Sequence, residues 1–324
     1  MARSTQYWIL AALGALAVVS FGASLLAGSA DLPLGRSLAA LWGGGDELAT
    51  TIVRTIRLPR SLSAFAVGSL LALAGVLLQA LFRNPLADPF VLGVSGGAAV
   101  GALGGMLLGL GLANLQWSAT AGALFIGALV MLLGRGAELS RLLLSGVVLA
   151  SACGALTTVL LAIADNGQLR GMVFWLAGDL GWALHPELDL AVAAIALVAT
   201  LLFARSLNVL SAGELRSATL GLDARLARPL VFVVAAILTS IAVLAAGPVG
   251  FIGLVAPHLV RLALRSADHR LVAPGAALVG GALLCLADIA SRIIAAPRQL
   301  PVGAITALIG APVFLLLLRR RPLR

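Results

Sequence analysis

The chain reads as an all-α integral membrane protein of about ten transmembrane helices, forming one domain over residues 1–324. Three observations carry that reading. Hydrophobic residues make up 61% of the chain and charged ones only 11%, against roughly 45–50% and about 25% in soluble proteins. Mean hydropathy is +1.09. The apolar residues also fall into runs near the ~20 residues that a span needs, with no long polar stretch for a second domain. Composition therefore excludes a soluble enzyme.

Charge, Pro and Gly clusters divide the runs. The first, 7–28, is too long for a signal-peptide core and has no clear cleavage site, so it counts as a span. The second, 61–82, stops at Arg83-Asn84-Pro85-Leu86-Ala87-Asp88-Pro89, where two prolines, an Asn and an Asp cannot continue a helix cleanly. That break reads either as a gate or cavity edge or as a tight turn. The third, 90–112, carries Gly93, Gly97, Gly101, Gly105 and Gly109 at spacings of four. Such a ladder lets a neighbouring helix approach closely; a flexible glycine-rich stretch is the alternative. The fourth and fifth spans are placed at 117–134 and 141–164, and the sixth at 187–204. A wide polar loop, 206–226, follows, in which residues from Gly213 to Gly221 read as a short amphipathic helix ended by glycine. Such a helix suits a groove on a partner, or is a plain surface helix. The last four spans lie at 228–246, 249–265, 272–293 and 302–318, the eighth, like the third, being glycine-rich and expected to be short or broken.

All 22 basic residues are arginine and the formal net charge is +9. They are scattered at loop positions rather than clustered on one polar face, which does not suit nucleic acid. With both termini cytoplasmic, fifteen of the 22 fall on the inner side, the terminal run 319–321 among them. Seven stay outside: Arg36, Arg54, Arg57, Arg60, Arg170, Arg292 and Arg298. Arg54, Arg57 and Arg60 recur every three residues, which on a helix places them on one face. They read either as a docking patch for an acidic partner or as headgroup snorkelling and local pairing, such as Asp288 with Arg292 at i, i+4.

Several chemistries have no residues to carry them. There is no phosphate-binding loop, no His-Glu-x-x-His, and no metal-ligand spacing. Cys153 and Cys285 lie in apolar runs and read as small buried hydrophobes. The span interiors hold almost no ionisable residue, against a proton- or ion-coupled carrier. Gly93-Val94-Ser95-Gly96-Gly97 imitates a nucleophilic serine motif, but the one span histidine, His258, sits near a span end beside Arg261. A serine nucleophile needs a base within reach.

As a set, five segments resemble the permease family of type II ABC importers, which take up iron chelates, haem and vitamin B12. They are Arg57-Leu58-Pro59-Arg60; Asn84-Pro85-Leu86-Ala87-Asp88-Pro89 with Leu92-Gly93-Val94-Ser95; Arg141-Leu142-Leu143-Leu144-Ser145-Gly146; Gly250-Phe251-Ile252-Gly253-Leu254-Val255-Ala256-Pro257-His258; and Leu300-Pro301-Val302-Gly303 with Gly310-Ala311-Pro312. They come in the family's order and span nearly the whole chain.

The resemblance implies a ten-helix subunit in the bacterial inner membrane that pairs with a second permease copy. Two cytoplasmic ABC ATPase subunits bind below it and a periplasmic binding protein docks above. ATP and magnesium belong to the ATPase, so no cofactor is expected on this chain. Residue by residue, Arg57, Arg60 and Arg292 match binding-protein docking positions. The 206–226 loop, with Gly213, Glu214, Leu215, Arg216, Ala218, Leu220 and Gly221, matches the helices that couple to the ATPase. Asn84 and Leu86 match one cytoplasmic gate element and Ser140 a second. Phe174, Trp175, Gly178 and Asp179 lie where the family carries an outer gate. Few charges and a single tyrosine suit a large, partly apolar chelate. The expectation is an iron chelate, haem ahead of a ferric siderophore, with cobalamin as the alternative.

Overall fold

The computed structural model describes residues 3–28, 30, 32–44, 46–134, 139–183 and 185–319. Among them every regular element is helical. Fifteen α-helices are described: α1 (Arg3–Leu26), α2 (Leu34–Leu41), α3 (Glu47–Thr50), α4 (Leu58–Phe82), α5 (Val94–Leu107), α6 (Leu112–Leu133), α7 (Leu139–Ile163), α8 (Asn166–Leu176), α9 (Pro186–Leu202), α10 (Ala204–Ser211), α11 (Glu214–Thr219), α12 (Ala224–Ala246), α13 (Ile252–Leu264), α14 (His269–Ile293) and α15 (Val302–Arg319).

Six helices are long and apolar enough to cross a membrane: α1, the run Glu47–Phe82 ending in α4, α6, α7, α12 and α14. The pair α9 and α10, bent by 64°, is a seventh only where the two count as one span. The shorter apolar helices α5, α13 and α15 occupy the remaining three expected positions. The third and eighth spans are cut shorter than 90–112 and 249–265. Gly93 and Gly109 leave the helical region at φ 75° and 66°, and Phe251 does so at φ 69°. Gly109 thus lies beyond the end of α5 and takes no part in the ladder.

Helix α4 is the axis of the molecule, buried along almost its whole length, with α14, α12, α9 and α13 packed round it. A membrane gives helices little hydrophobic reason to associate, so close packing of small residues does that work. A Cβ on Gly68 would run into the backbone of Gly280, and one on Gly75 into the backbone of Gly253. Gly97 and Gly101 meet α6 in the same way, at Gly122 and Ser118. Gly105 faces Ser118 and Leu115 of α6, while Gly93 lies over Gly146 and Ala150 of α7.

Before α4 the chain widens into a π-helical turn, Thr51–Arg57. This turn overrides the three-residue spacing and separates the arginines, because a π turn advances differently from an α turn. Arg54 points outward and donates to Leu41 O at 2.8 Å, whereas Arg57 is 4% exposed.

Candidate functional site

Two polar clusters mark the two ends of the bundle. The first begins with α1, which stops at Leu26 with no basic residue in its own last turn. Its final carbonyls have no partner within the helix and carry the negative end of the helix dipole. Two arginines from elsewhere supply the donors. Arg57 donates to Leu26 O and Ala30 O, each at 2.6 Å. Arg292 of α14 donates to Ala27 O at 2.6 Å and to Ser24 O at 3.1 Å. The ends of α1, α4 and α14 are thereby tied together, with Ser24 Oγ and Ser61 Oγ 2.8 Å apart between them.

Asp288 of α14 sits fully buried among these groups. Its Oδ2 is 2.9 Å from Arg292 Nη2, one helical turn away, and its Oδ1 accepts from Arg60 Nε at 2.8 Å. Arg60 extends further, to Asp179 Oδ1 at 3.4 Å and Gln299 Oε1 at 3.3 Å. Of the three arginines expected to dock a partner, Arg57 and Arg292 are used inside the chain, and the local Asp288–Arg292 pairing is present. Only Arg60 keeps a partly open side chain, 11% exposed. The outward-facing arginines at this end are Arg36, Arg54, Arg170 and Arg298.

The segment 174–181, expected as an outer gate, lies against the same cluster. Trp175 is buried and Arg170 stands over the Phe174 ring at 5.8 Å. Gly178 takes φ 79° with Pro248 O and Gly303 pressed against it, so a larger residue has no room. Asp179 N–H donates to Ala246 O at 2.8 Å and Gly303 N–H to Gly178 O at 3.3 Å. The Asp179 carboxylate accepts from Gly181 N–H at 3.1 Å as well as from Arg60. The segment is stitched to α12, α15 and, through Arg60, to α14.

At the opposite end, α4 closes with Arg83 in the left-handed region at φ 51°. Asn84 Oδ1 accepts from Leu86 N–H at 2.9 Å and Asp88 Oδ1 from Phe90 N–H at 2.8 Å. These two Asx-type bonds turn the chain twice before α5. Burial pushes the Asp88 carboxyl up to about 6, partly offset by the Phe90 N–H bond. Beneath the turn, Gln79 donates to Ala87 O and Gly253 O at 3.5 and 3.3 Å and accepts from Arg261.

The expected coupling segment lies at this end too. Helix α11 is only six residues long. It stands between Gly213 and Gly221, both at positive φ, with Arg83 beside Gly213. Ser217 Oγ ties it to Gly213 O and Val209 O at 2.7 and 3.0 Å, while Arg216 and Leu220 face outward. Asn84, Leu86 and the α11 segment therefore share one end of the bundle. The side chains of Ser140, Glu214, Leu215 and Ala218 lie outside the described residues.

Two features of this frame carried no signal in the sequence. One is the Gln79–Arg261 contact. The other is Asn208 of α10, bonded to Asp268 and His269 at the start of α14. Burial alone would raise the Asp268 carboxyl, but the Asn208 and Arg270 hydrogen bonds and the Arg270 and His269 charges bring it below its ordinary value. The serine motif proves bland: Ser95 Oγ is buried with no hydrogen-bond partner among the described residues, so no base reaches it. The described residues also contain no group of His, Cys, Asp and Glu able to hold a metal.

Comparison with known proteins agrees with this architecture over nearly its full length. Residues 16–320 match the model of the FecCD transport family. The hemin transport system permease protein HmuU of Yersinia pestis is 42% identical over 313 residues, 93% of each chain. The cobalamin import system permease protein BtuC of Halobacterium salinarum is 43% identical over 292 residues, 88% of this chain and 78% of that one. The vitamin B12 import system permease protein BtuC of Salmonella typhi is 40% identical over 321 residues, 98% and 96%. A solved inward-facing structure, described as that of a metal-chelate type ABC transporter, superposes with a TM-score of 0.85 at 31% identity. It covers 98% of this chain and 100% of that one. The chain belongs to the FecCD transport family and is a multi-pass permease of the ABC importers for vitamin B12, haem or iron chelates.

Proposed function

We propose that this chain forms the membrane path of an ATP-driven importer for a metal-bearing tetrapyrrole macrocycle, cobalamin first and haem second. Relatives of near-equal identity carry those two substrates in their names, at 43% and 42%. This moves the expectation away from an iron chelate as the leading substrate. The observation that carries the reading is the family match over residues 16–320, joined to buried arginines that are held by Asp288 or by the carbonyls at the end of α1.

In this reading the chain pairs with a second copy in the bacterial inner membrane, with both termini cytoplasmic. Two ATPase subunits hold ATP and magnesium and receive α11, while a periplasmic binding protein docks on the Arg60 end. Nucleic acid has no part. Arg60 meets the binding protein first, with Arg57 and Arg292 in a second layer that keeps the docking face in shape. Asn84, Leu86 and Ser140 gate the cytoplasmic exit, and Phe174, Trp175, Gly178 and Asp179 the outer entrance. ATP-driven movement of α11 then alternates access by rigid-body displacement of helices. The chain itself makes no covalent chemistry.

The test is to purify the chain with the ATPase and binding protein encoded beside it. ATP hydrolysis in lipid is then measured with the binding protein loaded with cobalamin, haem or a ferric siderophore. Stimulation by the cobalamin- or haem-loaded protein supports the reading; stimulation by the siderophore-loaded protein alone refutes the macrocycle assignment.

A further inference from the structure

The two polar clusters stand at opposite ends of one helix. At the Asn84 end, Asn208 grips the first residues of α14. Its Nδ2 donates to Asp268 Oδ1 at 2.7 Å, and its Oδ1 accepts from His269 N–H at 2.9 Å and His269 Nδ1 at 2.6 Å. Asn208 belongs to α10, and α10 is joined to α11 by the Ser217 hydroxyl on Val209 O at 3.0 Å. At the Arg60 end, Asp288 of α14 holds Arg60, and Arg60 reaches Asp179 in the segment that follows α8.

The material between these ends is stiff. α14 is a continuous helix of 25 residues, about 37 Å at 1.5 Å per residue. Its single proline, Pro274, falls in the second turn, close to Asn208. Beyond it the helix is locked to α4: Gly280 lies against the Gly68 backbone, Gly281 against the Phe65 ring, and Ser69 Oγ donates to Ala277 O at 3.0 Å. Interdigitated backbones of this kind move together or not at all, since packed interfaces are not continuously deformable. The stretch from Ala277 to Asp288 can therefore carry a displacement that enters through Asn208 and the first turns of α14.

We propose that α14, locked to α4, is the rod that links the α10–α11 segment to the 177–182 segment. Asn208 is the pin at one end, and the Asp288–Arg60–Asp179 chain is the pin at the other. Asn208 and Arg60 are positioning residues: neither needs to touch the transported molecule. The inference rests on the importer reading, in which α11 receives the movement of the ATPase.

The experiment uses the whole assembly in proteoliposomes, with spin labels at Gly181→Cys and Arg298→Cys in a chain whose two buried native cysteines are replaced by alanine. Two quantities are read: the change in label separation on adding Mg-ATP, and substrate transported per ATP hydrolysed, using cobalamin and haem. Asn208→Ala is expected to lower both by about fivefold or more, the lower end of ordinary coupling energies. Asp179→Asn, a mild change at a partly exposed site, is expected to do the same from the other end. Combining them should cost no more than the worse single change, because one line can be cut only once. Asn208→Gln, which retains both the amide donor and acceptor, should recover part of the coupling, a rescue that lost stability alone would not give. An unchanged label movement in either single variant, or losses that multiply in the double variant, would overturn the proposal. If the unsubstituted assembly hydrolyses no ATP, the importer reading falls, and this inference with it.

Discussion

Removing Asp288 leaves two guanidinium groups without the carboxylate that holds them together. The side chain is fully buried, and its ion pairs to Arg60 and Arg292 measure 2.8 and 2.9 Å. Taking one partner from a buried pair costs about 3–5 kcal/mol, because the survivor is left uncompensated. Two features here pull Asp288→Ala toward the lower end. Arg60 retains Asp179, and Arg292 retains the carbonyls of Ser24 and Ala27. The expected loss is about 3 kcal/mol, a little over two decades in the unfolding equilibrium. Arg292→Ala should cost about 3 kcal/mol as well, since Asp288 keeps Arg60 and Leu26 O keeps Arg57 while Ala27 O loses its donor. The double variant should lose less than the sum by about 1–3 kcal/mol, because the second removal relieves the charge that the first exposed. The assay is denaturant unfolding in one fixed detergent–lipid mixture, followed for all three variants. Single losses below about 1 kcal/mol, or strict additivity in the double variant, would refute the reasoning.

Other consequences are simpler to state. Gly68→Ala forces a methyl group into the Gly280 backbone and should destabilise by about 1–3 kcal/mol or more. Gly14→Ala on the open face of α1 meets nothing and should gain about 0.5–1 kcal/mol of helix stability; thermal unfolding in detergent distinguishes them. The Asp88 carboxyl stands at about 6, above its ordinary 3.8. The folded turn therefore favours the neutral acid, and that stability is complete below pH 3.8 and lost as pH rises through 6. Amide exchange at residues 84–93, corrected for intrinsic rates, should show weaker protection at pH 7 than at pH 5, and Asp88→Asn should flatten the difference. Ser95→Ala should leave uptake unchanged, because the hydroxyl has no hydrogen-bond partner among the described residues; loss of uptake with normal folding would give Ser95 a role that its surroundings do not supply.

The all-helical fold and its apolar helices were legible because lipid leaves little choice: an apolar run long enough to cross must be helical. Local chemistry was also legible where it closes within a few residues. The Asn84–Asp88 double turn, the glycines around α11 and the i, i+4 partnership of Asp288 with Arg292 are all of that kind. Contacts between distant segments were not. Nothing near Asn208 points to His269, and nothing near Gly68 points to Gly280, because a single sequence carries no record of which helices lie side by side. The arginines were legible only in part. Their three-residue spacing implied one helical face, with docking and local pairing both open; the π-helical turn separates Arg54 from Arg57, and the bare carbonyls at the end of α1 hold Arg57 and Arg292. A helix C-terminus without its own cation was the clue, visible in the sequence of α1 and unused.

The most direct test of the central claim is uptake itself. The chain, its ATPase and its binding protein are reconstituted in sealed vesicles, and accumulation of cobalamin and haem is followed with and without ATP on the ATPase side. The account expects accumulation of one of the two that requires both ATP and the loaded binding protein. Accumulation driven by a proton gradient with no ATP, or hydrolysis that never moves either substrate, would contradict it.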